Sequence, residues 1–280
     1  MIASFYTDNV DCTTQYGLSI AEGSYAQLIT WPALKAIEAT DWHEEDGTDP
    51  DLDAPALDSR EFTLRFVGST TRAKVDAFIA LWRNGVYHLL STGIGRKYQL
   101  RLVGNGKPRW VDGLCILDLK FADDFPLYAY TYETPTSTIV SSDDYLLDDT
   151  RLTDYGVILL DGAHDQLSQT PQVKRNLATS LASKDGIDYD RNGVVTYGAY
   201  QARLTCLIRA KTLDELWQNY DALLVDLVRP NRRTLTVKAL GKAYPFHYVT
   251  SRVRRFYPDG KIWLEFDITI NVFGTPEDIA

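Results

Sequence analysis

The chain is written twice, and that repeat bounds its architecture before any other feature does. Tyr16-Gly17-Leu18 returns 139 residues later as Tyr155-Gly156-Val157, and Pro32-Ala33-Leu34-Lys35 returns at the same spacing as Pro171-Gln172-Val173-Lys174. Asp46-Gly47 returns as Asp185-Gly186, and Asp49 and Asp51 return as Asp188 and Asp190. After a small insertion, Phe62-Thr63-Leu64 reads as the counterpart of Leu204-Thr205-Cys206. Phe78, Ala80 and Leu81 then match Tyr220, Ala222 and Leu223, and Gly106-Lys107 matches Gly241-Lys242. LDLKFA at 117–122 parallels FDITIN at 266–271. The pattern predicts a first domain at 1–130 and a second at 153–280. Between them, residues 131–152 are rich in Ser, Thr and Asp and read as an exposed connector, in which Tyr145, Leu146 and Leu147 would dock on a neighbouring surface or pair as a short strand.

Each copy carries one amphipathic helix. Val75, Phe78, Ile79 and Trp82 recur at helical spacing, with Ser69-Thr70-Thr71 offering an N-cap and Gly85 a stop. In the second copy Thr212 and Glu215 have capping-box spacing, Leu213, Leu216, Trp217, Tyr220, Leu224 and Leu227 form the apolar face, and Pro230 ends it. The rest alternates as strand does, most clearly at Ile262, Leu264, Phe266, Ile268, Ile270 and Val272. Asn105-Gly106 and Asp259-Gly260 read as hairpin turns. No alternation of strand and helix appears, so a doubly wound nucleotide fold is not expected. The expected class is mainly β with one helix per domain: two tandem copies of a β-sandwich or barrel with a packed helix.

With 45% apolar residues, the 280-residue chain carries enough for two cores, and no apolar run is long enough for a membrane helix. The N-terminus shows no secretory signal, and no membrane anchor is expected. Cys12, Cys115 and Cys206 are scattered and read as small apolar fillers in a reducing compartment. The net charge of −9 is uneven: residues 1–130 carry −6, residues 131–152 carry −4 and residues 153–280 carry +1. Such a chain is ill suited to holding nucleic acid, which needs basic surface.

Chemistry-bearing patterns are few. Asp188, Asp190 and Asn192, with Gly193, match the start of a calcium loop, and Asp49, Asp51 and Asp53 repeat the spacing. The twelfth position is Ala199 where a bidentate Glu belongs, so an Asp- and Gly-rich turn is the preferred reading. None of His43, His88, His164 and His247 forms a pair at metal-ligand spacing, and no nucleophile or phosphate-loop motif is present. Neither catalytic residues nor a cofactor is expected. Arg252 and Arg254, on one face of a strand near Arg229, Arg232, Arg233 and Arg255, are candidate interface residues through charge complementarity between unlike copies. Trp31 and Trp42 are further interface candidates, and with Trp110 they are the stacking candidates of an alternative reading as a tandem carbohydrate-binding module.

The order of Tyr-Gly, Pro-x-x-Lys, Asp-Gly loop, strand, capped helix and returning antiparallel strands resembles the ring-forming domain of tailed-phage tail-tube and distal tail (Dit-like) proteins. The likeness spans both copies and is carried by anchors such as DWHEEDGTD and SKDGIDYD. It implies a β-sandwich with a flanking helix, associating with its own kind around an open channel. A typical distal tail protein has one such domain followed by a different one, whereas this chain has two. By resemblance the function is a structural ring of a phage or prophage tail, with three chains giving pseudo-sixfold symmetry and a hexamer as the alternative. Its partners are other copies of itself and other tail proteins, with DNA only as passing cargo. The implied location is the virion tail, after assembly in the host cytoplasm.

Overall fold

A computed structural model describes residues 4–83, 85–139, 142–176, 178–189 and 193–279. In the first half, β1 (Phe5–Thr7) and β2 (Val10–Asp11) lead into the short helix α1 (Cys12–Tyr16), β3 (Ser19–Ile20) and helix α2 (Tyr25–Ile29). A long excursion carries the ribbon β4 (Ala39–Thr40) and β5 (Asp49–Pro50). Then come β6 (Arg60–Ser69), helix α3 (Arg72–Trp82), β7 (His88–Thr92), β8 (Lys97–Asn105), β9 (Arg109–Val111) and β10 (Leu114–Asp123). The second half repeats the series: β11 (Tyr145–Leu147), β12 (Thr150–Arg151), β13 (Val157–Leu159), helix α4 (Ala163–Leu167) and the ribbon β14 (Ala178–Thr179) and β15 (Asp188–Tyr189). It continues with β16 (Tyr200–Ala210), helix α5 (Leu213–Leu227), β17 (Arg233–Val237), β18 (Lys242–Tyr257), β19 (Ile262–Val272) and β20 (Glu277–Asp278).

Both halves form eight-stranded antiparallel sheets with the same neighbour order. The first runs β2-β1-β7-β8-β10-β6-β3 and the second β12-β11-β17-β18-β19-β16-β13, with β9 and β20 appended. The chain is mainly β, two tandem β-sandwich domains with one long helix apiece. Alternation explains the strands: Phe62, Leu64 and Phe66 are buried while Glu61, Thr63 and Arg65 are exposed. Helix α3 buries Val75, Phe78, Ile79 and Trp82 on one face. Cys12, Cys115 and Cys206 are free and buried.

The repeated dipeptides have a common physical cause. Gly17 ends helix α1 and Gly156 ends the 3₁₀ turn Leu152–Tyr155, with φ of +68° and +70°. A Cβ would sit 2.8 Å from the Ser69 carbonyl oxygen in one and 2.6 Å from that of Arg209 in the other. Only glycine combines the left-handed turn with that approach to the neighbouring strand.

Strand pairing corrects part of the sequence alignment. Leu64 lies opposite Leu119, and Leu204 lies opposite Ile268. Leu64 therefore corresponds to Leu204 rather than to Cys206, because the β-period of two makes a two-residue slip invisible in the hydrophobic pattern. Gly241-Lys242 precedes β18, the positional match of β8, so its counterpart is the lead-in to Lys97 and not Gly106-Lys107. The tight turn after β8 falls later than expected, at Asp112-Gly113, where both φ values are positive. In the stretch read as a connector, residues 131–139 are largely exposed, while Tyr145–Leu147 pairs with β17 and Thr150–Arg151 pairs with β11.

Helix α5 departs most from its sequence reading. Asn219, Asp221 and Asp226, polar residues outside the apolar face read from the sequence, are buried. The Thr136 amide donates to Asn219 Oδ1 at 2.9 Å, and the Tyr155 and Tyr132 hydroxyls donate to Asp226 at 2.5 and 3.1 Å. The helix is covered on its second side by residues 131–139 and by the first unit. Its N-terminus is capped by Thr212, whose hydroxyl accepts from the Glu215 amide at 3.1 Å, while the Glu215 carboxylate accepts from the Lys211 amide at 2.8 Å. Replacing Thr212 by Ala is expected to lower stability by about 1 kcal/mol in urea denaturation; an unchanged midpoint would show that burial alone holds the helix.

Candidate functional site

The residues that sequence offered as interface candidates converge, in part, on the junction between the two units. Past helix α2 the chain turns Trp31 into the second unit, where the indole is buried. It stacks on Tyr220 with ring centroids 4.3 Å apart and meets Phe266 edge-on at 5.2 Å. Backbone bonds lock the segment in place. The Trp31 amide donates to Ser251 Oγ at 3.1 Å, the Leu34 amide to the Val249 carbonyl at 2.9 Å, and the Val253 amide to Thr30 Oγ1 at 3.0 Å. The Tyr220 and Tyr248 hydroxyls donate to the carbonyls of Ile29 and Pro32 at 3.1 and 2.7 Å. Burial pushes both phenol pKa values up, which keeps the hydroxyls neutral donors. Truncating an aromatic in such a site costs about 3–5 kcal/mol.

An ion pair borders the same junction. Arg96 reaches from the first unit and makes a two-pronged contact with Asp221 at 2.9 and 3.0 Å, its guanidinium 4.7 Å over the Trp217 ring. Burial works against the Arg96 charge, but Asp221 outweighs it and raises the arginine's pKa. Trp217 Nε1 donates to the Ile94 carbonyl at 2.5 Å. A cleft of about 510 Å³ borders this junction and is lined by Trp31, Arg60, Arg96, Asp221 and Tyr130 among others. Its two arginines are both engaged, Arg60 with Asp123 and Arg96 with Asp221.

The third element is the Asp-Gly loop of the first unit, which seats on the second. Lys174 is almost fully buried. Its ammonium donates to the carbonyls of Trp42 and Glu45 at 2.8 Å each and to that of Gly47, and it pairs with the Asp41 carboxylate at 2.5 Å. The Gly47 amide donates to the Tyr197 carbonyl at 2.7 Å, the Tyr197 amide to Asp46 Oδ1 at 2.8 Å, and Thr196 Oγ1 to the His43 carbonyl at 2.7 Å. Gly47 has φ +77°, and a Cβ there would stand 1.7 Å from the Phe273 carbonyl oxygen. The lysine of the Pro-x-x-Lys repeat and the glycine of the Asp-Gly repeat thus meet across the junction.

The other sequence candidates fall elsewhere. Trp42 is 53% exposed above the Lys174 seat, and Trp110 is exposed on β9. Trp31, covered on both faces, is closed to sugar stacking. Arg254 is held within its own sheet by the buried Asp267 at 2.9 Å and by Glu265 at 3.8 Å, and Arg252 is exposed beside it. The charge of Arg254 is therefore met within the second unit rather than across the junction. Asp188 pairs with Lys184 at 2.6 Å, while Asp190 and Asn192 lie outside the described residues. Among the described residues no group of three or more His, Cys, Asp and Glu side chains is placed to hold a metal ion. No described helix is long and apolar enough to cross a membrane. Sequence reasoning missed Arg96, Asp221 and Lys174; only the repeat of Lys35 at Lys174 marked one of them.

No family model matches the chain, and no curated protein matches it. Among solved structures, one similar to it is the Dit protein of phage SPP1, described as a paradigm of the hub adsorption apparatus in phages infecting Gram-positive bacteria. The match covers 97% of this chain and 98% of that one, at 10% identity and a TM-score of 0.35.

Gly47→Ala is expected to lift the loop from Lys174, seen as faster cleavage after Glu44 and Glu45 by a glutamate-specific protease. Gly186→Ala, at a glycine with φ +85° and open space around it, is expected to leave that cleavage unchanged. Equal cleavage of Gly47→Ala and the unsubstituted chain would contradict the close fit.

Proposed function

We propose that the chain is a structural component of a phage or prophage tail that associates with its own copies into a ring around a channel for DNA. In this reading the two halves are duplicated copies of one ring-forming unit, residues 1–130 and a second copy that begins not at 153 but at β11, because β11 and β12 take the places of β1 and β2 in its sheet. The part of 131–152 ahead of β11 joins them. Three chains would present six units in pseudo-sixfold array, six single chains being the alternative. Other tail proteins would stack above and below, in a virion tail assembled in the host cytoplasm.

One observation carries the reading: the units meet head to tail. The first offers the end of α2, the Asp-Gly loop and the Arg96 turn, and the second receives them on α5, on β18 and β19, and beside Lys174. A contact between unlike faces leaves a receiving face on the first unit and an offering face on the second. Repeated between chains it yields a closed ring or an open filament, according to the rotation it imposes. Tethering two units halves the encounters needed to close. The net charge of −9 suits a wall past which DNA slides, since an acidic surface gains nothing by counterion release.

Light scattering with negative-stain imaging tests this. Annular particles whose mass is three or six times 31.6 kDa are expected. A chain that stays monomeric at every concentration, alone and with the tail proteins encoded beside it, would contradict the proposal.

A further inference from the structure

The second unit owns a loop built like the one that seats on Lys174, and nothing among the described residues of its own chain receives it. The Lys184 amide donates to the Leu181 carbonyl at 3.1 Å, as the Glu45 amide does to that of Trp42 at 3.3 Å. The ribbon β14–β15 repeats the ribbon β4–β5. Gly186 has φ +85° against +77° at Gly47. Where a Cβ on Gly47 would strike Phe273, however, one on Gly186 would meet nothing within 4 Å. Leu181, Ile187 and Tyr189 are exposed at 51%, 66% and 58%. The loop is shaped for a docking that it does not make.

The first unit, conversely, owns a seat without an occupant among the described residues. Lys35 stands at the position of Lys174, and the bridge Leu34–Leu57 repeats the bridge Val173–Tyr197. The Lys35 amide donates to the Ala56 carbonyl at 2.8 Å, as the Lys174 amide does to that of Thr196. Lys174 is buried among loop carbonyls, whereas Lys35 is exposed.

Resting on the ring reading above, we infer that the loop at residues 180–189 of one copy docks on Lys35 of a second copy. Lys35 gathers the carbonyls of Leu181, Lys184 and Gly186, and the Leu57 backbone takes the part that Tyr197 plays within the chain. The contact between copies is weaker than the one inside the chain, for reasons visible in the sequence. Thr170 stands where Trp31 does, Ala56 replaces the hydroxyl of Thr196, and Ser180 replaces the carboxylate of Asp41. What survives is the lysine, the glycine and the backbone. A loop already held in its docked shape loses little conformational freedom on binding, which favours association through so small a contact.

The test is sedimentation velocity of the full chain over a concentration series, with a photo-crosslinking residue placed at Ile187 in a mixture of isotopically light and heavy protein. Lys35→Glu is expected to raise the concentration of half-association by at least about tenfold, because hydrogen bonds to a charged group are lost. Ser180→Asp, which supplies the carboxylate that Lys174 enjoys, is expected to lower it by about threefold. Both variants should melt as the unsubstituted chain does, and cross-links should join light to heavy chains near Leu57 and near Asp124, which stands where Phe273 does in the second unit. Association unchanged in both variants, with cross-links elsewhere, would overturn this docking and leave the ring reading standing. A chain that never associates, with every cross-link internal, would overturn both.

Discussion

Burying Trp31 between Tyr220 and Phe266 turns two similar sheets into one directional object. The indole is presented by a segment leaving helix α2 and received by the helix and central strands of the other unit, so the contact has a giver and a taker. Everything placed around it inherits that polarity: Arg96 must reach Asp221, and Lys174 must gather the carbonyls of a loop from the other side. Removing a single charge from the Arg96–Asp221 pair leaves its partner buried and unmatched, a larger penalty than the pair itself is worth in stability. Such a pair fixes orientation more than it adds strength.

The two halves share a topology but not a duty. Helix α5 is the longer and is buried on more sides, since it serves its own sheet, the first unit and residues 131–139 together. Helix α3 serves its own sheet, burying four residues on one face. Duplication followed by divergence would produce this: one junction, always formed because both partners are on one chain, acquires an aromatic anchor and an ion pair. The junction proposed between separate chains would keep only the elements that both halves retain.

Much of the architecture was legible in the residues. Short motifs announced the repeated topology: Gly17 and Gly156 at left-handed turns pressed on a neighbouring strand, and a Pro-x-x-Lys whose lysine collects carbonyls in the second unit. Caps and amphipathic faces placed both long helices. Register was less legible, because alternation with a period of two cannot distinguish Leu64 opposite Leu119 from a neighbour two residues away. The junction was least legible. Asp221 and Asp226 look like solvated positions on a helix surface, and only the arrival of Arg96, Tyr132 and Tyr155 from distant segments makes them interior. Trp31 carried a hint, as a large aromatic beside a proline, but its pocket is composed of residues some 190 to 235 positions downstream, beyond the reach of any local pattern.

If the Trp31 junction governs the molecule, the two units do not unfold independently. Scanning calorimetry of the full chain measures this directly. A single transition whose calorimetric and van't Hoff enthalpies agree is the expected result, separating into two when Trp31 is replaced by Ala. Two well-resolved transitions in the unsubstituted chain would contradict the account.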